Sequence, residues 1–373
     1  MKILIIDSNY PINTRNSKIG DFLRHKQDVT VIISAWLRQG TLLSKEASGK
    51  EYIFEYPSKL GDRYSKVMNI FRYFKYLKKV NHIEKPDVLL CSHYDMLFLG
   101  YFLKKKGQIL VYENLDVPTH SNSLVLKTLQ AIEKFSLKKT DFMALASRFY
   151  VDLYSKFTKD ILVLENIPNL NKNTEVAPDK VNNTIHNPDK IVISFIGGVR
   201  YVDILIKLIT FSAAYKNVEI RIYGEGHESH ILKSFLANEA YSHVKITGRY
   251  DYSEISNFYL ISDYIWAVYP SDNHNVKYAI SNKFHESLFF DRPGIYAKNT
   301  CLGQFVEHEN IGLTVDYKDD ESLKQLFDKI VEDKSIYNEL LSSIAKYKEK
   351  NDVSWDQSMN EFYAVLVKLV GKK

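Results

Sequence analysis

The sequence predicts an α/β protein built from two doubly wound units in series, each a parallel sheet covered on both faces by helices. Three observations carry this. Short apolar runs alternate with helical patterns over residues 1–165. A polar, Asn-rich stretch without apolar period follows. The alternation then restarts at Ile191. Short apolar runs separated by helices are the signature of strands buried on both faces. A chain of 373 residues has the length for two cores of ordinary size.

In the first unit, expected over residues 1–169, strands are read at Lys2–Asp7, Val29–Ser34, Pro86–Cys91, Gln108–Tyr112, Phe142–Ala146 and Ile161–Leu164. Helices fall at Ser17–Arg24, Met96–Lys105 and Leu124–Lys138. Residues 170–190 read as a linker, with Pro178 and Pro188 and no period. The second unit, 191–350, has strands at Ile191–Ile196, Val218–Tyr223, Val244–Ile246, Tyr264–Tyr269 and Gly294–Ala297. Its helices are read at Val202–Ala214, His230–Ala237, Ser253–Ser262 and Lys283–Phe290. An amphipathic segment, Asp352–Val370, closes the chain within a terminal stretch of 351–373.

Composition is that of a globular protein, 45% hydrophobic and 25% charged, which excludes a disordered chain. Cys91 and Cys301 fit no metal-ligand or redox spacing, so a reducing compartment is expected. The apolar start stops at Asp7, and no run reaches the length of a membrane span. A cytoplasmic protein is therefore expected. The net charge of +5 is uneven: residues 1–170 carry 26 Lys and Arg against 17 Asp and Glu, and the remainder 24 against 28. The basic first half suits a phosphate-bearing acceptor or an anionic membrane surface, or is ordinary variation in solvated charge.

Ligands of open α/β sheets bind beyond the carboxyl ends of the strands. In the second unit those positions hold Gly197-Gly198-Val199-Arg200, Gly224-Glu225-Gly226, Gly248-Arg249-Tyr250 and the loop 271–281. Each glycine alone reads as a turn; four such loops on one sheet edge favour a ligand site. Ser281 or Asn282 is placed to cap a helix whose amides would face an anion. Lys283 sits in its first turn, where a cation is unfavourable unless an anion is bound. Glu286, one turn on, has two oxygens for a ribose diol. The plain alternative is a Lys283–Glu286 surface pair.

Asn282-Lys283-x-x-Glu286 followed by Arg292-Pro293-Gly294 resembles the donor-site helix of GT-B glycosyltransferases, particularly those of family-4 type. So do Phe195-Ile196-Gly197-Gly198 and Ile222-Tyr223-Gly224-Glu225-Gly226. The resemblance implies a GT-B fold of two Rossmann-like domains facing a cleft, with the Trp355 helix crossing back to the first. It implies transfer of a hexose-type sugar from a nucleoside-diphosphate sugar to a saccharide acceptor, lipid-linked or free, in bacterial surface polysaccharide or glycoconjugate synthesis. Retention of anomeric configuration is implied by analogy alone. Arg200 and Lys283 would neutralise the diphosphate, Glu286 would hold the ribose, and the backbone at Arg249-Tyr250 would meet the base. No metal and no cofactor beyond the sugar-nucleotide is expected, because the basic groups and helix amides supply the positive charge. One position departs from the pattern: eight residues before Glu286, where the family often has a second Glu, stands Tyr278. That departure keeps two other readings open, a non-catalytic GT-B subunit supporting a partner glycosyltransferase and a sugar-nucleotide epimerase. Nucleic-acid binding is not expected, since no recognition motif accompanies the basic surplus.

Acceptor-side candidates lie at the strand ends of the first unit: Asn13, Arg15, Glu113 and Asp116, and also His93, which reads more readily as a hydrogen-bonded structural histidine. Asp116, directly after a strand, would act as general base or orient the acceptor hydroxyl, or else cap the turn before Pro118. The segment Lys59–Lys79 interleaves lysines and arginines with aromatics. It reads either as a helix lying on an anionic bilayer at the inner face of the membrane, or as one with its aromatics in the core.

Overall fold

A computed structural model describes residues 1–37, 50–56, 63–157, 160–168, 190–238, 241–351 and 354–372. The linker expected over 170–190 lies outside the described residues apart from Lys190. The chain divides into two compact units, one of Met1–Asn166 with Trp355–Lys373 and one of Ile167–Ser354.

The first unit holds seven strands: β1 (Lys2–Asp7), β2 (Thr30–Leu37), β3 (Lys50–Glu55), β4 (Val88–Ser92), β5 (Ile109–Asn114), β6 (Phe142–Leu145) and β7 (Ile161–Val163). They form one parallel sheet in the order β3-β2-β1-β4-β5-β6-β7. The second holds β8 (Ile191–Ile196), β9 (Val218–Tyr223), β10 (Val244–Gly248), β11 (Tyr264–Ala267), β12 (Gly294–Ala297) and β13 (Gly312–Val315). Their order is β10-β9-β8-β11-β12-β13, again all parallel. Read from its own first strand, the second sheet runs 3-2-1-4-5-6, the doubly wound order, and the first runs the same with a seventh strand added at the end. The two-unit α/β fold expected from the sequence is thus the fold observed.

The reason lies in the strands. Ile3–Ile6 and Val88–Leu90 are fully buried, as continuous apolar runs sandwiched between helices must be. β3 and β13 go unread in the sequence. β3, Lys-Glu-Tyr-Ile-Phe-Glu, is half-buried and charged at both ends, as suits an edge strand. β13 is four residues long and opens on a glycine.

The terminal helix, Trp355–Gly371, belongs to the first unit. Trp355, Ser358, Met359, Phe362 and Leu366 are buried at helical spacing. Phe362 packs on Phe142 with ring centroids 5.8 Å apart, and Lys26 Nζ donates to Asn360 Oδ1 at 2.8 Å. The helix Arg63–Glu84 puts Tyr73 in the core, as the second of its two expected readings has it. Tyr73, Leu77 and Val80 form a core stripe, and the Tyr73 hydroxyl donates to Asp7 O and Ser34 O at 3.0 and 2.9 Å. Tyr76 donates to Ile53 O at 3.1 Å. The side chains of Lys59, Arg63, Tyr64 and Lys66 lie outside the described residues.

Candidate active site

In each sheet the strand order reverses beside the first strand, and the two units treat that place differently. Between β1 and β4 the first unit closes it with its own polar groups. Asp7 accepts from Asn13 Nδ2 and Asn16 Nδ2, both at 2.8 Å. Asn16 Nδ2 reaches Ser92 Oγ at 2.6 Å, and Ser92 Oγ is 3.3 Å from Glu113 Oε2. Glu113 pairs with Arg15, whose guanidinium also donates to Leu164 O. Arg15 is 2% and Glu113 0% exposed. This corrects an expectation. Arg15 and Glu113 are not presented to an acceptor but paired beneath the surface, because burying either charge alone would be costly. Asn13 is half-buried and caps the Thr14–Arg24 helix by accepting from Asn16 N at 2.8 Å. Asp116 is the exposed carboxylate of the set.

In the second unit the same place, between β8 and β11, is lined by backbone and by cations. Gly197 N donates to Tyr223 O at 2.8 Å, and Gly224 N to Gly248 O at 2.7 Å, so the loops after β8, β9 and β10 are tied edge to edge. Gly224 has φ +123°, and a Cβ there would stand 2.0 Å from Gly197 O. A Cβ on Gly226 would meet Val199 O at 2.1 Å. Only glycine lets these two loops approach so closely.

The Asn282–Phe289 helix starts at this edge. Ser281 is its N-cap, accepting from Lys283 N at 3.3 Å. Phe284 anchors it in the core. Lys283 is 7% exposed and points into the place between the strands. Its Nζ donates to Tyr269 Oη at 2.6 Å, lies 4.5 Å from the Phe195 ring centroid, and sits 3.2 Å from where a Cβ on Gly197 would be. Arg200 is exposed, its guanidinium 5.4 Å from the Tyr269 ring and 5.5 Å from that of Tyr201. Among the described residues no carboxylate pairs with Lys283 or Arg200.

Tyr269 records the resulting field. Burial pushes its phenol up, but the Lys283 ammonium and its hydrogen bond, with Arg200 and Ser281, outweigh burial and hold it below the ordinary tyrosine range. The start of the Val202–Ser212 helix is occupied by a carboxylate: Glu228 Oε2 accepts from Val202 N at 2.8 Å, beside Tyr201 in the left-handed region at φ +57°.

Glu286 does not pair with Lys283. It is 5% exposed and accepts from Tyr259 Oη at 2.7 Å and from Tyr252 Oη at 3.0 Å. Tyr250, stacked edge-on against Phe258 with centroids 5.0 Å apart, is pushed up to about 12 by burial and then by the charge of Glu286 and by Tyr269. Lys283, Glu286, Tyr250, Ser281, Asn282 and the glycines thus gather at one sheet edge. Arg249 instead lines a hollow of about 430 Å³ with Glu225, Gly226, His227, Ser229, His230 and Lys233. Tyr269, Tyr259 and Tyr252 went unread in a chain with 26 tyrosines, where no spacing distinguishes one from another. Among the described residues no three His, Cys, Asp or Glu side chains cluster as metal ligands, and no helix is long and apolar enough to cross a membrane.

Residues 177–351 match the family described as Glycosyl transferases group 1. No curated protein matches the sequence. Among solved structures, a sucrose-phosphate synthase from Thermosynechococcus elongatus superposes with a TM-score of 0.76 at 12% identity, over 100% of both chains. HepE from Anabaena, solved with UDP, gives 0.71 at 12% identity over 99% of this chain and 100% of its own. A glycosyltransferase from Rickettsia africae gives 0.70 at 14% identity over 100% and 99%. At such identities the likeness shows the fold. Residues 177–351 thus carry a group 1 glycosyl transferase domain, and the chain, with the fold of GT-B glycosyltransferases, is a glycosyltransferase.

Proposed function

We propose that the protein transfers a sugar from a nucleoside-diphosphate sugar, held by the second unit, to a saccharide acceptor. The observation that carries this is the pair Lys283 and Arg200. Two cations stand at the reversal point of the sheet with aromatic neighbours and no carboxylate partner among the described residues. A buried ammonium without a counter-ion is costly, and a diphosphate would complete it.

In this reading the diphosphate meets Lys283, Arg200 and the amides at Ser281-Asn282-Lys283, with the backbone of Gly197, Gly198, Gly224 and Gly226 close by. Glu286 takes the ribose hydroxyls, and Tyr250 with the Arg249 backbone borders the base. As the glycosidic bond to phosphate breaks, negative charge grows on the departing diphosphate, and Lys283 and Arg200 stabilise it there, which makes the reaction metal-independent. Asp116 in the first unit is the group proposed to orient or deprotonate the acceptor hydroxyl. Retention at the anomeric carbon, and a place in surface polysaccharide or glycoconjugate synthesis, rest on the family resemblance.

The test is a thermal-shift series with UDP, GDP, ADP and their sugars. A donor at a hundred times its Kd should stabilise the native state by about 2.7 kcal/mol. Product analysis with and without acceptor then separates transfer from epimerisation. No shift with any nucleotide would leave a non-catalytic subunit as the better reading.

A membrane partner is also proposed, on a surface that meets the expected segment at Phe74 and Lys78. Phe74, Phe98, Tyr101, Phe102 and Phe135 form a continuous ring cluster with neighbouring centroids 4.5–6.4 Å apart. Phe102 is 51% and Phe135 38% exposed. Lys139, Lys138 and Lys78 stand 4.2, 5.5 and 5.8 Å from rings of the cluster. Exposed aromatics rimmed by lysines suit an anionic bilayer. The protein should sediment with anionic vesicles and not with neutral ones, and Phe102→Ser with Phe135→Ser should release it. Equal binding by parent and variant would remove this surface from the account, and negligible binding by both would remove the membrane.

A further inference from the structure

The two tyrosines on Glu286 are not equivalent. Tyr259 is fully buried, stacks on Phe290 with centroids 4.8 Å apart, and its carbonyl accepts from Arg292 Nε at 3.0 Å. It comes from the helix Ile255–Leu260, packed in the same core cluster as Ile196 and Ile265. Tyr252 is 52% exposed and stands on a single 3₁₀ turn, Tyr252–Glu254, held by a capping box between Asp251 and Glu254. Only its hydroxyl end is committed, reaching Glu286 Oε1 at 3.0 Å. Burial first, and then the charge of Glu286, push the Tyr252 phenol up, so it stays a hydrogen-bond donor throughout neutral pH.

We propose that Tyr252 is an internal stand-in for the ribose. Its hydroxyl fills the place on Glu286 that a ribose hydroxyl takes when the donor binds, and it swings out as the nucleotide enters. Tyr259 stays, and orients the carboxylate in both states. The inference rests on Glu286 being the ribose carboxylate, as proposed above. Three facts support it. A buried carboxylate left without donors would be costly, so the empty site needs a substitute. The substitute must be able to leave, and the exposed ring on a short turn can. The substitute must also offer what a ribose offers, a neutral hydroxyl donor, which the raised phenol does.

The consequence is a competition that the nucleotide must win, and removing the competitor should tighten binding. Calorimetry with UDP, with GDP alongside, should give a Kd lowered roughly three- to tenfold in Tyr252→Phe, the worth of one net hydrogen bond. With the 2′,3′-dideoxy analogues the gain should vanish, because no ribose hydroxyl then competes for Glu286. Tyr259→Phe should give no gain with either ligand. An unchanged or weaker Kd in Tyr252→Phe overturns the inference, and so does an equal gain with the dideoxy analogues, which would mark a steric gate instead. Glu286→Gln that binds UDP and GDP as the parent does would sink the ribose assignment beneath it. Binding of neither nucleotide by the parent would sink the donor site itself.

Discussion

Lys283→Ala should lower kcat/KM for the donor by about 10²–10³, the usual loss when one group aimed at developing negative charge is removed. The size follows from where Lys283 sits. It is nearly buried, so its charge acts with little screening by water, and Tyr269, Phe195 and the Gly197 backbone fix its position. Arg200 is exposed and held only by ring contacts, so Arg200→Ala should cost about ten- to a hundredfold, the worth of a hydrogen bond to a charged group. The fold should survive both changes, since neither cation is part of a described ion pair. A second readout checks the placement without turnover. In the parent, Lys283 and Arg200 hold the Tyr269 phenol below its ordinary range against the pull of burial. With Lys283 gone, burial prevails and the phenol should titrate above that range. Tyrosine-labelled NMR, assigned with Tyr269→Phe, would show the resonance move. Full activity in Lys283→Ala, or an unmoved Tyr269, would refute the site.

The fold was legible because its strands are buried on both faces. Ile3-Leu4-Ile5-Ile6 and Val192-Ile193 are interior, and the glycines after β8 and β9 and at the end of β10 stand at strand ends by position alone. The start of the Asn282–Phe289 helix was legible as well: Ser281, Asn282 and Lys283 are contiguous, and a helix start can be read from them. What escaped was everything made by contact across the sheet. Tyr269 lies two residues past β11 and Lys283 in the first turn of a helix fourteen residues later, and nothing in their spacing tells that the two meet. Glu286 and Tyr252 are 34 residues apart, so the sequence offered Lys283 as the partner of Glu286 when the fold supplies two tyrosines. In the first unit, Glu113 is the next-to-last residue of β5 and Arg15 stands in the first turn of the helix after β1, places that exposed site residues also take. Their separation of 98 residues concealed that they neutralise each other.

That pair makes the largest expected effect on stability. Glu113→Ala should destabilise the first unit by about 3–5 kcal/mol, because it leaves the Arg15 guanidinium buried without its counter-charge. Arg15 would keep its bond to Leu164 O and its place 5.8 Å from the Trp355 ring centroid, neither of which supplies negative charge of full size. Ser92 Oγ would lose one acceptor as well. Replacing both partners, as Arg15→Met with Glu113→Leu, should restore stability to the parent level or above, since two apolar side chains carry no desolvation cost. The three tryptophans allow the units to be followed apart. Trp36 and Trp355 lie in the first unit and Trp266 in the second, so urea unfolding in a Trp266→Phe background reports the first unit alone. The expected result is a midpoint lowered in Glu113→Ala and recovered in the double variant. If the single variant unfolds with the parent, the ion pair is not what holds this sheet edge. If a stable Glu113→Gln variant instead raises KM for the acceptor alone, the pair belongs to the acceptor site after all, and the first unit must open there to admit its substrate.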